Sequence, residues 1–366
     1  MICFFKFPLE DSLGGAELHT LKLARHFADH GRGVKLFTSD QKLFRLFEKN
    51  NLPRQRIMAG PEPVSRAALW HWPITYLRAR FAFKKILKSI PLESVCFFQS
   101  LTEKIVLTPL AVRGGIKVLW LEHKVPGRWM RNNPLLQSYK RLGKQIRIIT
   151  VSNFAKKEFI NLGMAEKNIQ VIYPGIRTPP YFPSLVKEGA GGLFTIGVLS
   201  RLDPEKGVLN FLRHGLPYLQ KHQNWEILMA GSGKERLEII ELAKSAGLED
   251  RVEMIGFLED KTDFFSRISV LAYPSRVAES FGVAALEAQA HGVPVVAARL
   301  GALEEIIKHG ETGLLVDQDK PEQWGEYLEK LDSDRQFAAA VSKNGWSASQ
   351  KFSEGRMFQA FDRLLI

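Results

Sequence analysis

The sequence is poor in cysteine, and this limits the kinds of protein it can encode. Cys3 and Cys96 are the only cysteines among 366 residues, and each lies in an apolar run typical of a strand. Neither has a neighbour at the spacing of a metal ligand, so we interpret both as reduced core thiols rather than as a disulfide or zinc site. This cysteine usage favours a reducing, cytoplasmic compartment.

Long apolar runs are also missing. No run reaches the roughly 18 apolar residues that a spanning helix needs. The first apolar run meets Lys6 and Pro8 too early to form the apolar part of a signal peptide. We therefore expect any contact with a membrane to be peripheral.

Acidic residues are scarce in the first half of the chain. Residues 1–180 contain 30 Lys and Arg against 12 Asp and Glu, a net charge of +18, whereas residues 181–366 carry −6. Such an excess in one half predicts that this half meets an anionic partner, such as phospholipid, a phosphorylated acceptor or nucleic acid.

Short apolar runs alternate with helix-length amphipathic segments. Near-continuous apolar strands separated by helices indicate parallel sheets covered on both faces, so the predicted fold class is α/β with two doubly wound units. In such sheets ligands bind beyond the carboxyl ends of the strands, and two facing units would enclose a cleft. Proline and glycine interrupt the pattern at 177–183 and 188–192, which marks a linker. We predict strands at 2–7, 34–38, 94–99, 117–122, 146–151, 169–172, 193–199, 226–230, 252–255, 270–273, 295–298 and 313–316, and helices that include 16–30, 81–89, 101–112 and 153–162.

The most informative motif lies between residues 274 and 295. A predicted strand ends at Tyr273 and a helix begins near Gly282, so the amides at the helix N-terminus can hold a phosphate. Glu279 precedes this helix, and Glu287 lies within it on an otherwise apolar segment. A carboxylate accepts two hydrogen bonds, which suits the vicinal hydroxyls of a ribose or hexose. We favour this interpretation over a solvated glutamate pair, because a charge on an apolar helix is costly to bury without a purpose.

A second motif surrounds the end of the predicted strand at 193–199. Asp203 and Pro204 are typical of a helix N-cap and first helical position, which stiffens the loop carrying Arg201 and Lys206. Two cations there can clamp a diphosphate and stabilise the charge that develops as a glycosidic bond breaks. Ordinary surface cations remain the alternative interpretation.

In this order and spacing, the two motifs resemble those of retaining glycosyltransferases of family 4, the glycosyl transferases group 1, which have the GT-B fold. Gly14-Gly15-Ala16-Glu17 resembles the family's N-terminal glycine loop, and Ala230-Gly231-Ser-Gly233 resembles part of its second domain. The resemblance covers nearly the whole chain. It implies Rossmann-like domains at 1–180 and 181–350, facing across a donor-binding cleft, with a C-terminal helix in 351–366 expected to return to the first domain.

The resemblance also implies roles for individual residues. Arg201 and Lys206 would bind the donor diphosphate, and Glu279 the transferred sugar or the backbone around it. His123, after a predicted strand, would lie by the sugar or acceptor, although a structural role for a lone histidine stays open. These four form the expected catalytic set, and the expected donor-binding set is Gly14, Gly15, Gly231, Phe281, Gly282, Val283 and Glu287.

The sequence departs from the family pattern at a few positions. Gln99 stands where the family often has histidine, and Ala302 and Glu304 stand where glycine and proline are usual. The loop before Glu279 is one residue longer than the commonest form. These departures leave the identity of the sugar open.

A basic, aromatic segment between residues 70 and 88 contains no acidic residue. Such a segment suits an anionic bilayer interface, although RNA or single-stranded DNA would also meet basic and aromatic side chains. Nucleic acid explains neither motif of the acidic half, so we consider it an unlikely partner. The residues expected at the membrane or acceptor are Trp70, Trp72, Arg78, Arg80, Lys84, Lys85, Lys88, Arg128 and Arg131.

Together with the family resemblance, these observations predict a glycosyltransferase that moves a hexose-type sugar from a nucleotide-diphosphate donor to a membrane-associated glycolipid or polysaccharide precursor. The resemblance implies that the transfer retains the anomeric configuration. We expect it on the inner face of the cell membrane, without a metal or other cofactor. Asp317-Gln-Asp319 has the form of a metal motif, but we interpret it as a helix cap. A nucleotide-sugar epimerase of the same fold and a non-catalytic binding protein for anionic surfaces or nucleic acid remain as alternatives.

Overall fold

The computed structural model describes residues 1–8, 14–58, 60–181 and 192–365, apart from the side chain of Arg128. These residues form two compact units, one within Met1–Tyr173 and Phe358–Ile366 and the other within Pro174–Met357. Residues 182–191, which include most of the predicted glycine-rich linker, lie outside the described residues.

The first unit is built on a seven-stranded sheet in which every pair of neighbouring strands is parallel. Its strands are β1 (Ile2–Lys6), β2 (Val34–Thr38), β3 (Arg54–Arg56), β4 (Val95–Phe98), β5 (Lys117–Glu122), β6 (Arg147–Thr150) and β7 (Ile169–Val171). They follow the spatial order β3-β2-β1-β4-β5-β6-β7. The chain order reverses between β1 and β4, and ligands of such sheets bind beyond the carboxyl ends of the strands at this switch point.

Eight helices cover this sheet within the described part of Met1–Tyr173. They are α1 (Gly15–Asp29), α2 (Gln41–Lys49), α3 (Arg66–Trp70), α4 (Trp72–Lys88), α5 (Leu101–Arg113), α6 (Arg128–Arg131), α7 (Leu136–Gly143) and α8 (Asn153–Asn161). Helix α4 begins nine residues before the predicted start at Phe81. Pro73 does not prevent this, because it lies in the first turn, where its missing N–H has no helical partner to lose.

The second unit contains a six-stranded sheet, again with only parallel pairs. Its strands are β8 (Phe194–Leu199), β9 (Trp225–Ala230), β10 (Val252–Gly256), β11 (Val270–Tyr273), β12 (Val295–Ala298) and β13 (Leu314–Val316). The spatial order is β10-β9-β8-β11-β12-β13, so the switch point lies between β8 and β11.

The helices that follow in the chain complete the second unit and return to the first. They are α9 (Val208–Lys221), α10 (Arg236–Ser245), α11 (Thr262–Arg267), α12 (Val283–Ala290), α13 (Leu303–Ile306), α14 (Gln323–Ser333), α15 (Arg335–Ser349) and α16 (Glu354–Leu365). In the first unit, Asp362 of α16 accepts a hydrogen bond from His26 Nε2 at 3.0 Å, and Phe358 stacks on the His26 ring. This contact holds the end of α16 against α1.

Each unit has its own apolar core, which explains why the strands are continuous apolar runs. In the first, Phe5 lies at the centre and contacts the Phe37 and Phe98 rings, with centroids 4.7 and 5.2 Å away. In the second, Trp225 of β9 packs on Phe194 of β8. The predicted α/β class with two doubly wound parallel sheets is confirmed. Within the described ranges, no helix combines the length and apolar character that crossing a bilayer requires.

Candidate functional site

Lys206 and Glu279 meet at the switch point of the second sheet. Lys206 lies in the segment after β8 and Glu279 in the loop after β11, and these two strands are neighbours. Lys206 Nζ donates to Glu279 Oε1 at 2.6 Å, and their side chains are only 17% and 14% exposed. Ser275 Oγ donates to the same carboxylate oxygen at 2.8 Å. The two motifs found in the sequence therefore come together in one polar cluster.

Two glycines allow the loops around Glu279 to approach one another. Gly207 has φ +68°, and a Cβ there would lie 2.2 Å from the Pro274 carbonyl oxygen. Gly301 has φ +63°, and its Cβ would lie 2.4 Å from the Glu279 carbonyl oxygen. That oxygen accepts a hydrogen bond from the Ala302 N–H at 2.9 Å. The backbone of Glu279 is thus held against the segment that contains Gly301 and Ala302.

Tyr273, the last residue of β11, lies beneath this cluster. Burial raises the pKa of Tyr273 well above its ordinary value, and the nearby Glu279 carboxylate, to which its hydroxyl hydrogen-bonds, raises it further. The phenol therefore stays protonated at neutral pH and donates to Glu279. Lys206, Ser275 and Tyr273 together orient one carboxylate.

Arg201 has two carboxylate partners of its own. Its Nη1 lies 2.5 Å from Asp203 Oδ2, and its Nη2 pairs with Glu205. Asp203 and Pro204 take the predicted positions at the start of a short 3-10 turn, but the Asp203 side chain accepts from Arg201 and from the Lys234 N–H instead of capping the turn. The guanidinium side chain is 59% exposed, so an incoming anion can compete for it.

Glu287 lies on α12, as the sequence predicts, and pairs with a residue that sequence analysis missed. Glu287 Oε2 accepts from Lys261 Nζ at 2.6 Å, and both side chains are about one-fifth exposed. Lys261 follows β10 in a stretch without a recognisable motif, so only the fold brings it to Glu287. A hydroxylated ligand at Glu287 would share the carboxylate with this cation.

The remaining predicted donor-site residues of the second unit shape the backbone. Gly282 is the N-cap of α12 with φ +94°, and Val283 is the first residue of that helix. Phe281 is buried, with its ring against Phe352. Gly231 has φ +140°, and a Cβ there would lie 1.8 Å from the Ser200 carbonyl oxygen. Gly231 therefore permits the segments after β8 and β9 to lie in contact.

In the first unit, His123 forms a pair with His19, which sequence analysis did not select. His123 follows β5 and is partly exposed, whereas His19 lies on α1 and is buried. His19 Nδ1 and His123 Nε2 are 2.8 Å apart. Burial lowers the pKa of His19 to about 3, and burial and the neighbouring His19 lower the pKa of His123 well below its ordinary value. Both rings are therefore neutral at pH 7.

The glycine pair at the start of α1 is held by a buried ion pair. Glu17 pairs with Lys6 at the end of β1, and its Oε2 accepts a hydrogen bond from the Gly14 N–H at 2.9 Å. Gly14 is extended, and a Cβ on it would meet Glu17 only at ordinary contact distance. Gly15 is the first residue of α1. The described fold therefore does not itself require glycine at position 14.

A buried polar network lies at the carboxyl edge of the same sheet. Glu103 Oε1 accepts from the N–H groups of Ser100 and Gln99 at 2.5 and 3.0 Å. Burial raises the pKa of Glu103 to about 8. Beside it, Lys104 and Tyr139 both donate to Glu122 Oε1, at 2.7 and 2.5 Å. Gln99, which departs from the family pattern, accepts from Thr20 at 2.8 Å and thereby joins this network to α1.

Helix α4 and the end of α3 expose an apolar stripe beside positive charge. We call the following exposed residues the α4 face: Trp70, Ile74, Leu77, Arg78, Phe81, Lys84, Lys85 and Lys88. Of the other residues predicted for this surface, Trp72 packs against the first core and Arg80 is partly buried. Arg131 lies on α6 and is exposed, 3.7 Å from Glu158.

The Asp317-Gln-Asp319 segment does not cap a helix, so that interpretation is wrong. Helix α14 begins later, at Gln323, with Glu322 as its N-cap. Asp317 instead accepts a hydrogen bond from Arg299 Nε at 2.7 Å, and this contact lowers its pKa. Among the residues that the structure describes, no group of three or more His, Cys, Asp or Glu is arranged to hold a metal ion. Metal independence stays a prediction.

Both halves of the sequence match models of glycosyltransferase families. Residues 13–178 match the model for Glycosyltransferase Family 4, and residues 186–347 match the model for Glycosyl transferases group 1. The two matches follow one another and together span most of the chain.

Proteins with similar sequences are also described as glycosyltransferases. An uncharacterized glycosyltransferase of Methanocaldococcus jannaschii is 32% identical over 212 residues, which cover 54% of this chain and 53% of the relative. A D-inositol 3-phosphate glycosyltransferase of Corynebacterium urealyticum is 35% identical over 156 residues, covering 40% of this chain and 37% of the relative. The chain thus matches about half the length of the first relative and less of the second.

Solved structures share the fold at lower identity. The crystal structure of HepE from Anabaena in complex with UDP matches with a TM-score of 0.82 at 22% identity, covering 100% of this chain and 99% of that one. The same protein in complex with UDP-glucose gives 0.79 at 21% identity, with the same coverage. With the two sheets and the successive family matches, these findings show that the chain belongs to the glycosyltransferases that join a Family 4 domain to a group 1 domain in the GT-B fold.

Proposed function

We propose that this protein transfers a hexose-type sugar, with retention of anomeric configuration, from a nucleotide-diphosphate donor to a membrane-associated glycolipid or polysaccharide precursor. The observation that carries the proposal is the presence of two ion pairs beyond the switch point of the second sheet, Lys206 with Glu279 and Lys261 with Glu287, whose carboxylates both act on Tyr273. They present cations and carboxylates where sheets of this type bind ligands. HepE binds UDP-glucose, which supports the donor class.

Charge and hydrogen bonding assign the parts of the donor. Lys206 and Arg201 would bind the diphosphate, and the amides at the start of α12 would face its oxygens. Glu287 would accept hydrogen bonds from the ribose hydroxyls, and Glu279 from the sugar or its surroundings. Binding would require the anion to compete with Asp203 and Glu205 for Arg201.

The proposed reaction needs no cofactor or metal ion. The bond between the anomeric carbon and the phosphate oxygen breaks, and the acceptor oxygen forms a new bond to that carbon on the same face. The departing phosphate oxygen takes the acceptor's proton. Lys206 and Arg201 would stabilise the charge on the leaving diphosphate, so catalysis would depend on positioning and electrostatics. His123 would contact the sugar or acceptor as a neutral hydrogen-bonding group.

The α4 face supports a peripheral location on an anionic membrane. Trp70, Ile74, Leu77 and Phe81 are more than half exposed, which is unusual for large apolar side chains. Basic side chains flank them, as in helices that lie in the bilayer interface. This surface would bring the enzyme to a lipid-linked acceptor on the inner face of the cell membrane.

The test is nucleotide release from UDP-, GDP- and ADP-glucose, with and without membrane lipid extract. Glu287→Ala should abolish release and donor-induced thermal stabilisation, while Glu241→Ala, at an exposed position of α10, should preserve both. Release that depends on lipid extract supports a lipid acceptor, and the anomeric coupling constant of the product reports retention. An isomerised donor without a sugar conjugate would instead indicate an epimerase, and no release or stabilisation by any donor would contradict the proposal.

A further inference from the structure

We propose that His19 is a positioning residue for His123, holding the His123 ring in one orientation and one tautomer. The proposal rests on the proposed function in so far as His123 contacts the sugar or acceptor. The proposal gives helix α1 a role in the reaction. The motif recognised in the sequence covers only the glycine-rich start of this helix and does not include His19.

The geometry defines which atoms are engaged. His19 Nδ1 and His123 Nε2 are 2.8 Å apart, and the two rings are nearly perpendicular, at 86°. The contact joins residues 104 positions apart in the chain, one on α1 and one after β5. Because Nε2 is engaged with His19, Nδ1 is the ring nitrogen with which His123 would contact a ligand.

The surroundings of the His19 side chain restrict its movement. Its side chain is buried, and its ring packs against Phe361 of α16 within the first unit. A buried donor or acceptor that loses its partner is costly, so the His19 ring has a strong preference for keeping this hydrogen bond. The His123 side chain is more exposed than that of His19, and its hydrogen bond and ring contact within the described residues are those with His19.

A hydrogen bond between two neutral imidazoles couples their tautomers, because one ring must donate the proton and the other must accept it. If His123 donates from Nε2, its Nδ1 is an acceptor; if His19 donates from Nδ1, the His123 Nδ1 carries the proton. Either arrangement gives His123 a single defined character towards a sugar hydroxyl. In a functional histidine, the hydrogen bond made by one ring nitrogen sets the protonation of the other nitrogen. His19 supplies such a hydrogen bond to His123.

Burial, assisted by the surrounding cations, keeps both rings neutral. Lys6 and Lys22 face His19, and Lys6, Lys104 and Lys124 face His123. Glu17 pairs with Lys6, and Glu122 pairs with Lys104. Burial and the cations lower both pKa values, so neither ring gains the second proton that would break the pair at neutral pH.

The kinetic test compares His19→Phe with His19→Asn, using the donor that the parent enzyme turns over. Phenylalanine retains the packing on Phe361 but loses the hydrogen bond, so we expect kcat to fall about 10–100-fold with little change in KM for the donor. The asparagine amide can replace Nδ1 and should restore kcat to within about threefold of the parent. His30→Asn, on an exposed residue next to α1, is the control.

The double variant His19→Phe/His123→Ala separates positioning from stability. If His19 acts through His123, the double variant should be no slower than His123→Ala, whereas independent effects would multiply. Multiplicative losses, or equal losses in His19→Phe and His19→Asn, would overturn the proposal. If His19→Phe does not fold, His19→Gln takes its place, because its amide reaches the position of Nε2 rather than Nδ1.

Nitrogen-15 NMR of labelled histidine tests the proposal without activity. In the parent protein at pH 7, His123 should show the shifts of one neutral tautomer, and in His19→Phe a mixture of both. Shifts in His30→Asn should match the parent for His123. A tautomer mixture in the parent, or an unchanged single tautomer in His19→Phe, would overturn the positioning role even if no donor is ever turned over.

Discussion

Lys206 Nζ lies 2.6 Å from Glu279 Oε1, so the loops after two neighbouring strands are joined by an ion pair. The pair is largely shielded from solvent, which strengthens its electrostatic interaction relative to a surface pair. It preorganises a cation beyond the switch point before any ligand binds. A preorganised charge needs no rearrangement when negative charge develops on a leaving group.

Replacing Lys206 by alanine should lower kcat by about 10²–10³-fold, because the cation would no longer stabilise the leaving diphosphate. The measurement is initial-rate kinetics of nucleotide release. Lys221→Ala is a matched control, since Lys221 also pairs with a glutamate at 2.6 Å but on the surface of the same unit. Unchanged turnover in Lys206→Ala would remove this residue from the clamp.

Gly231→Ala should destabilise the second unit by about 3 kcal/mol, because φ +140° is strained for alanine and the new methyl would meet the Ser200 carbonyl. Gly247→Ala separates the effect of the positive φ from that of the contact with the Ser200 carbonyl. Gly247 also has a positive φ, +66°, but a Cβ there meets nothing within 4 Å, so we expect a loss of about 1 kcal/mol. Urea unfolding measures both. Equal losses would show that the close approach to Ser200 is unimportant.

Changing Arg78, Lys84, Lys85 and Lys88 together to serine should weaken binding to anionic vesicles by on the order of 10³-fold, since each basic residue near the surface contributes about 1 kcal/mol. The measurement is co-sedimentation with phosphatidylcholine vesicles, with and without phosphatidylserine. A variant with the same charge change elsewhere, at Lys234, Lys244, Lys308 and Lys320, should bind like the parent. Equal binding by both variants, or no binding by the parent, would contradict a membrane role for the α4 face.

Glu103 should make the protein less stable as pH rises. Its ordinary pKa is 4.5, and burial raises the folded value to about 8, so the folded state holds more protons between these values. The free energy of unfolding therefore falls as pH increases from about 4.5 to about 8 and then levels off. In Glu103→Gln this contribution is absent, and the variant should gain stability relative to the parent between pH 5 and pH 9. Glu93→Gln, at an exposed position, should show no such gain in urea titrations.

The sequence predicts those parts of the fold in which local pattern and burial agree. Strands such as β1 and β11 are buried on both faces, so their residues form continuous apolar runs. Strand β3 was missed because it lies at the edge of the sheet and pairs only with β2. Its residues Arg54-Gln-Arg are polar and therefore do not form an apolar run. The start of α4 was missed because a proline in the first turn has the same sequence signature as a helix break.

Predicting the site was harder, because its contacts join distant parts of the chain. A carboxylate on an otherwise apolar helix leaves a local signal, which singled out Glu287, whereas Gly282 was selected through the family resemblance. The partners His19 and Lys261 leave none, since each reaches its target only through the packing of separate elements. The role of Asp317 was wrongly predicted for the same reason. Its partner is Arg299, which follows the neighbouring strand β12, and not the helix that comes next in the chain.

The two cysteines, which the register of β1 and β4 places side by side, can report on the opening of the first sheet. Cys3 and Cys96 lie directly opposite each other in the middle of the first sheet, both fully buried, and the sequence has no other cysteine. A thiol-reactive dye can therefore label the chain only when that sheet opens, and it cannot sense opening of the second sheet. Labelling kinetics would follow one half of the enzyme alone, so a comparison with amide hydrogen exchange would reveal whether the two halves unfold together.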